Sequence, residues 1–261
     1  MVRTRLLPYA FGMVYLSTLG FPPATLQAHS LHQEDKQVFH WHSNITSGKT
    51  VTVRGINGSI DASYSTDGEL HVEAVKTGPE ANRVEVNVST NQDGVLVCIV
   101  SSGQTGTNAP CESGRLPQDV RVDFKLAIPA GIPFIAQNIN GTVRAKSLSS
   151  NVAATTMRGD IEISTNGTVT EAHTNDGSVN LAVGKLWTGL LAIKTLNGNI
   201  RLQLPRNVSF QPSRSGNAVI TGSGPVQLKG LAVGEGSPRT GPPPELEIST
   251  LHGKVTISTG D

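Results

Sequence analysis

An eight-residue pattern centred on glycine recurs along this chain, and it limits the possible folds more than any other feature. In each copy glycine is the fourth residue, Ile or Val is the sixth, and a small or aliphatic residue is the eighth. The copies begin at positions 55, 138, 156, 174, 195 and 250, and a degenerate copy begins at position 213. When the degenerate copy is included, the glycines from the second copy onward are 18, 18, 21, 18 and 37 residues apart. Such a period indicates a stack of similar structural units. The turn glycines of the six regular copies are Gly58, Gly141, Gly159, Gly177, Gly198 and Gly253.

Each unit has the pattern of two short strands joined by sharp turns. Asn-Gly and Asp-Gly pairs let the backbone turn at positive φ at little steric cost. After the turn, apolar residues alternate with polar ones, as at Ile161 and Ile163, which is typical of a half-buried strand. A second alternating run precedes the turn, as at Leu191 and Ile193. One unit therefore supplies two strands and two corners.

Two architectures accommodate such units. In an antiparallel meander each Asn-Gly pair would be a hairpin turn. In a parallel β-solenoid each unit is one coil, stacked about 4.8 Å from the last, so that equivalent residues form ladders. The recurrence of the same residues at the same positions favours stacked coils. We therefore predict an all-β, single-domain β-solenoid, a parallel β-helix or prism-like stack of short strands, with regular repeats of about 18 residues from about residue 136. The N-terminal part should have longer strands, some of them in hairpins.

The composition agrees with this fold and excludes some functions. Charged residues make up 16% of the chain and aromatic residues 4%, and the net charge is +1. Few aromatic side chains and many turn residues indicate a core of small aliphatic groups. Because no basic or acidic block occurs, we expect neither nucleic acid nor anionic lipid to be captured electrostatically.

The N-terminus has the pattern of an export signal, with a positively charged start, a short apolar stretch and a plausible cleavage site at Ala28. We predict a signal peptide at 1–28, a polar lead-in or cap at 29–44, and one domain at 45–261. The protein would then be periplasmic, on the cell surface or secreted, with no stable membrane span after cleavage. An uncleaved anchor is the alternative, although the apolar stretch is short for a span.

The two cysteines, Cys98 and Cys111, are predicted to form one structural disulfide. Their spacing fits neither a C-x-x-C redox pair nor a zinc site. In an oxidising compartment, a bond that closes so short a loop would stabilise the fold by roughly 3 kcal/mol.

One stretch contains two sequences that suggest function when read alone. Arg158-Gly159-Asp160 is a cell-attachment tripeptide, but its glycine occupies the fixed position of the repeat, so we interpret it as a turn. Asp160 and Asp176 would lie on adjacent coils, where carboxylates can act as acid and base or bind Ca²⁺. The equivalent positions of other units are mostly uncharged, so we interpret these two as solvated turn residues.

Histidines are frequent near the predicted cleavage site. His40 and His42 would face one side of a strand and could hold a metal ion with a third ligand. No cysteine or carboxylate follows them at a suggestive spacing, and no hydrolase, phosphate-binding or zinc-helix motif occurs. We therefore predict no catalytic, cofactor-binding or metal-binding residues, and no cofactor.

Four sequence features occur in this chain in combination. They are the T-x-N-G-x-[IV] turns and the segment "GVLVCIV", which is followed by the second cysteine. The other two are "DVRVDFKLAIPAG" before the regular repeats and a Gly- and Pro-rich insertion before the final "ISTLHGKVTIS". As a set they resemble a bacterial family of exported repeat domains of unknown function, the putative adhesins. The resemblance covers residues 45–259 and departs from the usual Asn at Arg158 and His252. It implies a β-solenoid or prism of stacked strands, an exported location and no known reaction.

From these observations we predict a non-catalytic, exported, adhesin-like binding or scaffolding protein of the bacterial cell envelope. Its ligand would be a cell-surface component, a glycan or a protein, bound through the ladder faces and the loops 101–118 and 234–244. The final strand, within 254–259, would need a cap or would pair with another copy or a partner. The alternatives are a β-helix polysaccharide hydrolase or lyase that uses Asp160 and Asp176, and a purely structural, self-associating envelope protein.

Overall fold

A computed structural model describes the chain over residues 36–106, 110–111, 117, 119–206, 208–212, 222–223, 226–234 and 242–259. Within these residues the only helix is a single 3-10 turn at Ala81–Arg83, and none is long and apolar enough to cross a membrane. The prediction of an all-β fold is confirmed. The described strands are β1 (Gln37–Ser43), β2 (Thr50–Arg54), β3 (Ile60–Tyr64), β4 (Leu70–Thr77), β5 (Val84–Thr90), β6 (Gly94–Ser101), β7 (Arg121–Ile128), β8 (Phe134–Gln137), β9 (Val143–Leu148), β10 (Val152–Arg158), β11 (Ile161–Thr165), β12 (Val169–Asp176), β13 (Val179–Val183), β14 (Leu190–Asn197), β15 (Ile200–Leu204), β16 (Val208–Pro212), β17 (Gly222–Ser223), β18 (Val226–Gly234), β19 (Glu245–His252) and β20 (Lys254–Thr259).

The strands form two mixed sheets of ten strands each. Sheet A has the order β1-β4-β7-β3-β9-β11-β13-β15-β20-β17, and sheet B has the order β16-β18-β19-β14-β12-β10-β8-β2-β6-β5. Buried aliphatic side chains of both sheets form one core cluster. Its two phenylalanines, Phe124 and Phe134, are fully buried.

In the repeat region, successive strands alternate between the sheets. Strand β10 lies in sheet B, β11 in sheet A, β12 in sheet B and β13 in sheet A. Within each sheet these strands pair in parallel with the equivalent strands of the neighbouring units. Parallel pairing excludes the antiparallel meander for this region, because hairpin-linked neighbours would run in opposite directions. The degenerate copy at 213–220 lies outside the described residues.

The N-terminal half mixes both strand directions. Strands β4 and β7 pair antiparallel, and so do β5 and β6, whereas β7 and β3 pair in parallel. Part of the predicted lead-in forms β1, the edge strand of sheet A, which pairs antiparallel with β4. Strand length does not separate the halves, since β12 and β14 of the repeat region also have eight residues.

The C-terminal end of the stack is covered by its own chain. Strands β16 and β18 pair antiparallel and extend sheet B beyond β19. In sheet A the short strand β17 pairs with Lys254 and Val255 at the start of β20. The final strand is therefore partly capped, at these two residues, as one of the two predicted alternatives requires.

The sixth position of the repeat forms a ladder through the core. Its residues lie opposite one another on neighbouring strands of sheet A, and all are fully buried. Burial of one such side chain contributes about 1.5–3 kcal/mol, so a ladder that repeats in every unit favours one register. The ladder consists of Ile60, Val143, Ile161, Val179, Ile200 and Val255.

The turn glycines stack directly on one another. A Cβ atom on Gly159 would overlap the carbonyl oxygen of Gly141, and the same holds for Gly177 on Gly159, Gly198 on Gly177 and Gly253 on Gly198. Positive φ angles occur at the four earlier positions but not at Gly198 or Gly253. The shared requirement is therefore the close approach of two backbones, and the positive φ expected of an Asn-Gly turn is secondary.

Buried threonines explain the first position of the repeat. Thr174 Oγ1 donates a hydrogen bond of 2.9 Å to the carbonyl oxygen of Gly159 in the preceding unit, and the Thr174 residue is fully buried. Thr156, Thr195 and Thr250 make the same bond to the turn glycine of the unit before them, at 2.9–3.2 Å. The bond satisfies a carbonyl group that the tight stack removes from water.

Replacement of Thr174 by Val should lower the free energy of unfolding by about 1–2 kcal/mol, because the buried Gly159 carbonyl loses this donor while the side-chain shape is kept. The matched control is Thr155→Val, which changes a half-buried threonine on the outer face of sheet B; there we expect a change within about 0.5 kcal/mol. Urea denaturation of both variants measures the difference. Equal losses at the two positions would contradict a specific role for the buried hydroxyl.

Candidate functional site: a polar trough on sheet A

The outer face of sheet A has a row of side chains that alternate in charge from strand to strand. Neighbouring members lie opposite each other in the strand register. Ion pairs join Lys125 to Glu73 at 3.4 Å, Arg144 to Asp61 at 3.3 Å and Arg144 to Glu162 at 3.6 Å. We name this set the charge row: Glu73, Lys125, Asp61, Arg144 and Glu162.

A second row, next to the charge row, consists mainly of short side chains. The register places His71 opposite Ala127, Ala127 opposite Ser63 and Ser63 opposite Lys146, and further along Ser164, Ala182, Gln203 and Ser258 continue the row. We name this set the short row: His71, Ala127, Ser63, Lys146, Ser164, Ala182, Gln203 and Ser258.

The space between the two rows is concave. It contains two grooves, of about 630 Å³ and about 590 Å³, and Lys146 lines both. We name this space the polar trough. It extends across the strands, so a ligand lying in it would meet side chains from one strand after another, at intervals of about 4.8 Å.

The charge balance changes along the trough. At the N-terminal end the acidic members of the charge row are paired with Lys or Arg. At the other end Arg201 is exposed, and no described acidic residue forms an ion pair with it. It lies opposite Asn180 and Thr256, which are neutral. Within the described part of the chain, this end therefore offers a cation without an acidic partner among amide and hydroxyl groups.

Beside the trough, Arg121 and Asp123 form a rigid pair on β7. Arg121 donates two hydrogen bonds of 2.7 Å to the carboxylate, and the amide of Ser59 donates a third, also of 2.7 Å. Burial alone would raise the pKa of Asp123, but these hydrogen bonds outweigh it, so the pKa lies below its ordinary value. Since every oxygen of this carboxylate is occupied, the pair holds β7 to the turn before β3.

A cluster of histidines and carboxylates lies at the N-terminal end of the trough. We name His42, Asp67, Glu69 and His71 the His–carboxylate cluster. His71 Nε2 is 2.7 Å from Asp67 Oδ2, and His42 Nδ1 is 3.1 Å from Glu69 Oε2. The two rings stack with their centroids 5.9 Å apart. Hydrogen bonds from the Ser65 hydroxyl, the Glu69 amide and His71 lower the pKa of Asp67 to about 2.

This cluster contains one of the two histidines considered from the sequence. His42 faces outward from β1 as expected, and His40, two residues earlier, is 4.0 Å from Glu73. Sequence reasoning missed Asp67, Glu69 and His71. The available signal was the sequence spacing of these three residues at every second position, although Asp67 and Glu69 precede β4 and lie in a bend around Gly68.

Asp160 and Asp176 do not line the trough. Asp160 Oδ1 accepts a hydrogen bond of 2.7 Å from the amide of Ser178, and Asp176 Oδ1 accepts one of 2.6 Å from Asn197. Both residues are exposed and lie at the turns that the glycines stack. Each carboxylate therefore holds the turn of the next unit.

The Arg158-Gly159-Asp160 tripeptide belongs to the same set of turns. Arg158 ends β10, and one of its guanidinium nitrogens donates to Asn140 Oδ1 at 3.2 Å. Its backbone amide donates to the carbonyl of Ile139, and its carbonyl accepts from Gly141. The tripeptide is thus hydrogen-bonded to the preceding unit.

Cys98 and Cys111 form a disulfide. Cys98 is fully buried in β6, so the bond ties the following loop to the interior of the domain. Asn87 makes two further bonds to this loop, with the amide and the carbonyl of Gly106. Half of the loop 101–118 and most of the loop 234–244, both predicted as binding segments, lie outside the described residues.

Comparison with known protein families gave no matching family model, and no curated protein matched the chain. Several solved structures are similar at low identity. A "putative cell adhesion protein" from Clostridium sporogenes is 10% identical over 86% of this chain and 100% of its own, with a TM-score of 0.43. A "putative adhesin" from Bacteroides fragilis is 13% identical over 86% of this chain and 97% of its own, with a TM-score of 0.34. A "putative lipid binding protein" from Parabacteroides distasonis is 12% identical over 87% of this chain and 97% of its own, with a TM-score of 0.21.

Proposed function

We propose that this chain is an exported, non-catalytic β-solenoid, an adhesin-like binding or scaffolding protein of the bacterial cell envelope, and that the polar trough is its ligand-binding surface. The alternation of repeat strands between two sheets supports the solenoid. The sequence pattern at 1–28 and the disulfide support export, since structural disulfides persist in oxidising compartments.

The observation that carries the proposal is the row of polar groups along the trough, which lie over a lining that is mostly apolar. These ion pairs share Arg144 and Glu162, but surface pairs contribute only about 0–1 kcal/mol each to stability, so the need to fold is a weak explanation for a concave face lined by them. Hydroxyl and amide groups, as on Ser164, Asn180 and Gln203, lie beside the charges. They can exchange hydrogen bonds with a ligand that is itself rich in hydroxyl groups.

These properties favour a glycan chain of the cell envelope as the ligand. An extended polymer could meet one strand after another, and each contact would be weak. Between its two ends the trough is lined by side chains of strands that already have neighbours on both sides, so an added peptide strand would find a free backbone edge only at the ends, as at β1. Arg201, which has no ion-pair partner among the described residues, would suit a carboxylate or phosphate substituent on such a glycan.

The alternative of a polysaccharide-cleaving enzyme is less well supported. Asp160 and Asp176 are exposed, are hydrogen-bonded to neighbouring turns and lie away from both grooves. An acid–base pair must reach a bound substrate, and a glycan in the trough would not meet these two carboxylates.

Substitution of Ala182 by Arg tests the proposal. Ala182 belongs to the short row, so a long side chain there would obstruct the trough. We expect purified glycans or cell-envelope fragments to bind the unmodified chain saturably without product release. We expect Ala182→Arg to weaken that binding by about tenfold or more, which is a loss of about 1.4 kcal/mol.

The matched control is Ala192→Arg on β14. Ala192 is half-buried on the outer face of sheet B, opposite Glu171 and Glu247, which would accommodate the new cation. Binding that is retained in this control and lost in Ala182→Arg would support the trough. Equal binding by both variants would contradict it, and released oligosaccharide that disappears in Asp160→Asn would make the protein an enzyme.

Self-association is a second candidate function, favoured by the edges of the sheets. Among the described strands, β1 pairs only with β4 and β5 only with β6. Exposed strand edges can pair with a second copy. Sedimentation over a range of protein concentrations tests this, and a monomer at every concentration would exclude it.

A further inference from the structure

We propose that the His–carboxylate cluster is a binding site for a divalent transition-metal ion of the Zn²⁺ type, with His42, Asp67, Glu69 and His71 as its ligands. This inference goes beyond the proposed function. It does not depend on a glycan, since the cluster has its own geometry at the N-terminal end of the trough.

The ligand atoms are already close together. One ligand atom from each of Asp67, Glu69 and His71 lies within 4.8 Å of the other two. His42 reaches the same group through its contact of 3.1 Å with Glu69. Four ligands at Zn–N and Zn–O distances of about 2.0–2.2 Å lie about 3.3 Å from one another in a tetrahedron. Asp67, Glu69 and His71 could thus hold one ion between them, and His42, which contacts Glu69, would move toward that ion to become the fourth ligand.

Neighbouring groups orient both carboxylates. The Ser65 hydroxyl and the Glu69 amide donate to Asp67 Oδ1, at 2.7 and 3.0 Å, which leaves Oδ2 facing His71. Asn44 donates to Glu69 Oε1 at 3.3 Å, which leaves Oε2 facing His42. Outer hydrogen bonds of this kind hold metal ligands in position and are common in metal sites.

The backbone fixes the spacing of the two histidines. His42 and His71 lie directly opposite each other on β1 and β4. The two carboxylates belong to the segment that connects β3 to β4. A bound ion would therefore link the edge strand β1 to this connection and to β4, and it should stabilise the edge of sheet A.

The type of ligand determines the type of ion. Two imidazole nitrogens with two carboxylate oxygens suit Zn²⁺, Cu²⁺ and Ni²⁺. Ca²⁺ prefers a shell made entirely of oxygen atoms, and Mg²⁺ retains most of its water. We therefore choose Zn²⁺ as the probe and Ca²⁺ as the comparison ion.

The test is calorimetric titration of the full chain with ZnCl₂ in the absence of any glycan. We expect saturable Zn²⁺ binding with no comparable Ca²⁺ binding, and a higher melting temperature in Zn²⁺ than in EDTA. His71→Ala and Glu69→Gln should each weaken this binding about 100-fold, and Asn44→Ala, which removes an orienting group, about 10-fold. The control His173→Ala changes a histidine of β12 in sheet B and should bind as the unmodified chain does.

Several outcomes would overturn the proposal. They are an absence of Zn²⁺ binding, binding that persists unchanged in both His71→Ala and Glu69→Gln, and equal binding of Ca²⁺. Melting curves in EDTA show whether each variant is folded. If His71→Ala does not fold, the Glu69→Gln variant decides alone, because the Glu69 side chain is partly exposed and its replacement should leave the fold intact. A negative result here leaves the glycan test of Ala182→Arg unaffected, since that test uses no metal.

Discussion

Replacement of Gly159 by Ala is expected to lower the free energy of unfolding by about 3 kcal/mol or more. The new Cβ would overlap the carbonyl oxygen of Gly141, which belongs to the backbone of the preceding unit and cannot rotate away. Gly159 also has a φ of +141°, a conformation that a residue with a side chain rarely adopts. Urea denaturation, followed by circular dichroism, measures the loss.

Two further variants separate these causes. In Gly198→Ala the new Cβ would overlap the carbonyl oxygen of Gly177, but the φ of Gly198 lies outside the left-handed region. In Gly131→Ala the new Cβ would have no atom within 4 Å, but the φ of Gly131 is +77°. If the close approach dominates, Gly198→Ala should resemble Gly159→Ala, and Gly131→Ala should cost about 1 kcal/mol. A loss at Gly131 as large as that at Gly198 would show that backbone conformation, and not stacking, requires these glycines.

Removal of the disulfide by the double substitution Cys98→Ala and Cys111→Ala is expected to lower the free energy of unfolding by about 3 kcal/mol. The bond joins residues 13 positions apart, and it restricts the unfolded chain by closing this loop. Denaturant curves of the oxidised chain and of the double variant measure the difference.

The reduced form of the unmodified chain is the control for this prediction. Cys98 is fully buried, so its replacement also removes packing. If the covalent link is the main cause, the reduced chain should be nearly as unstable as the double variant. A loss below about 1 kcal/mol in both would mean that the two Asn87–Gly106 hydrogen bonds already hold the loop.

The repeat region is the part of the fold that the sequence predicted best. Its period, its turn glycines and its alternating residues indicate short strands that pair with their equivalents in the next unit, and the parallel register bears this out. The role of the first position was not predicted. The hydrogen bond from Thr174 to Gly159 connects two units, so it is visible only once the units are stacked.

The N-terminal half was less predictable because its strands do not pair in chain order. Strand β7 lies between β4 and β3, although more than 40 residues separate it from either of them in the chain. Alternation shows that β3, β4 and β7 are strands and which side chains face outward. It carries no information about which strands become neighbours, because many pairings would bury the same apolar faces.

The sequence by itself determined the local structure: an all-β chain, the strand-and-turn unit and the pairing of its cysteines. Only the tertiary structure decided where polar groups meet. Asp61, Glu73, Lys125, Arg144 and Glu162 form one row, and His42 reaches Glu69 and His71, because strands distant in the chain are adjacent in sheet A. The physical reason is that turns and alternation depend on neighbours along the chain, whereas contacts between exposed side chains contribute too little free energy to leave a pattern in the sequence.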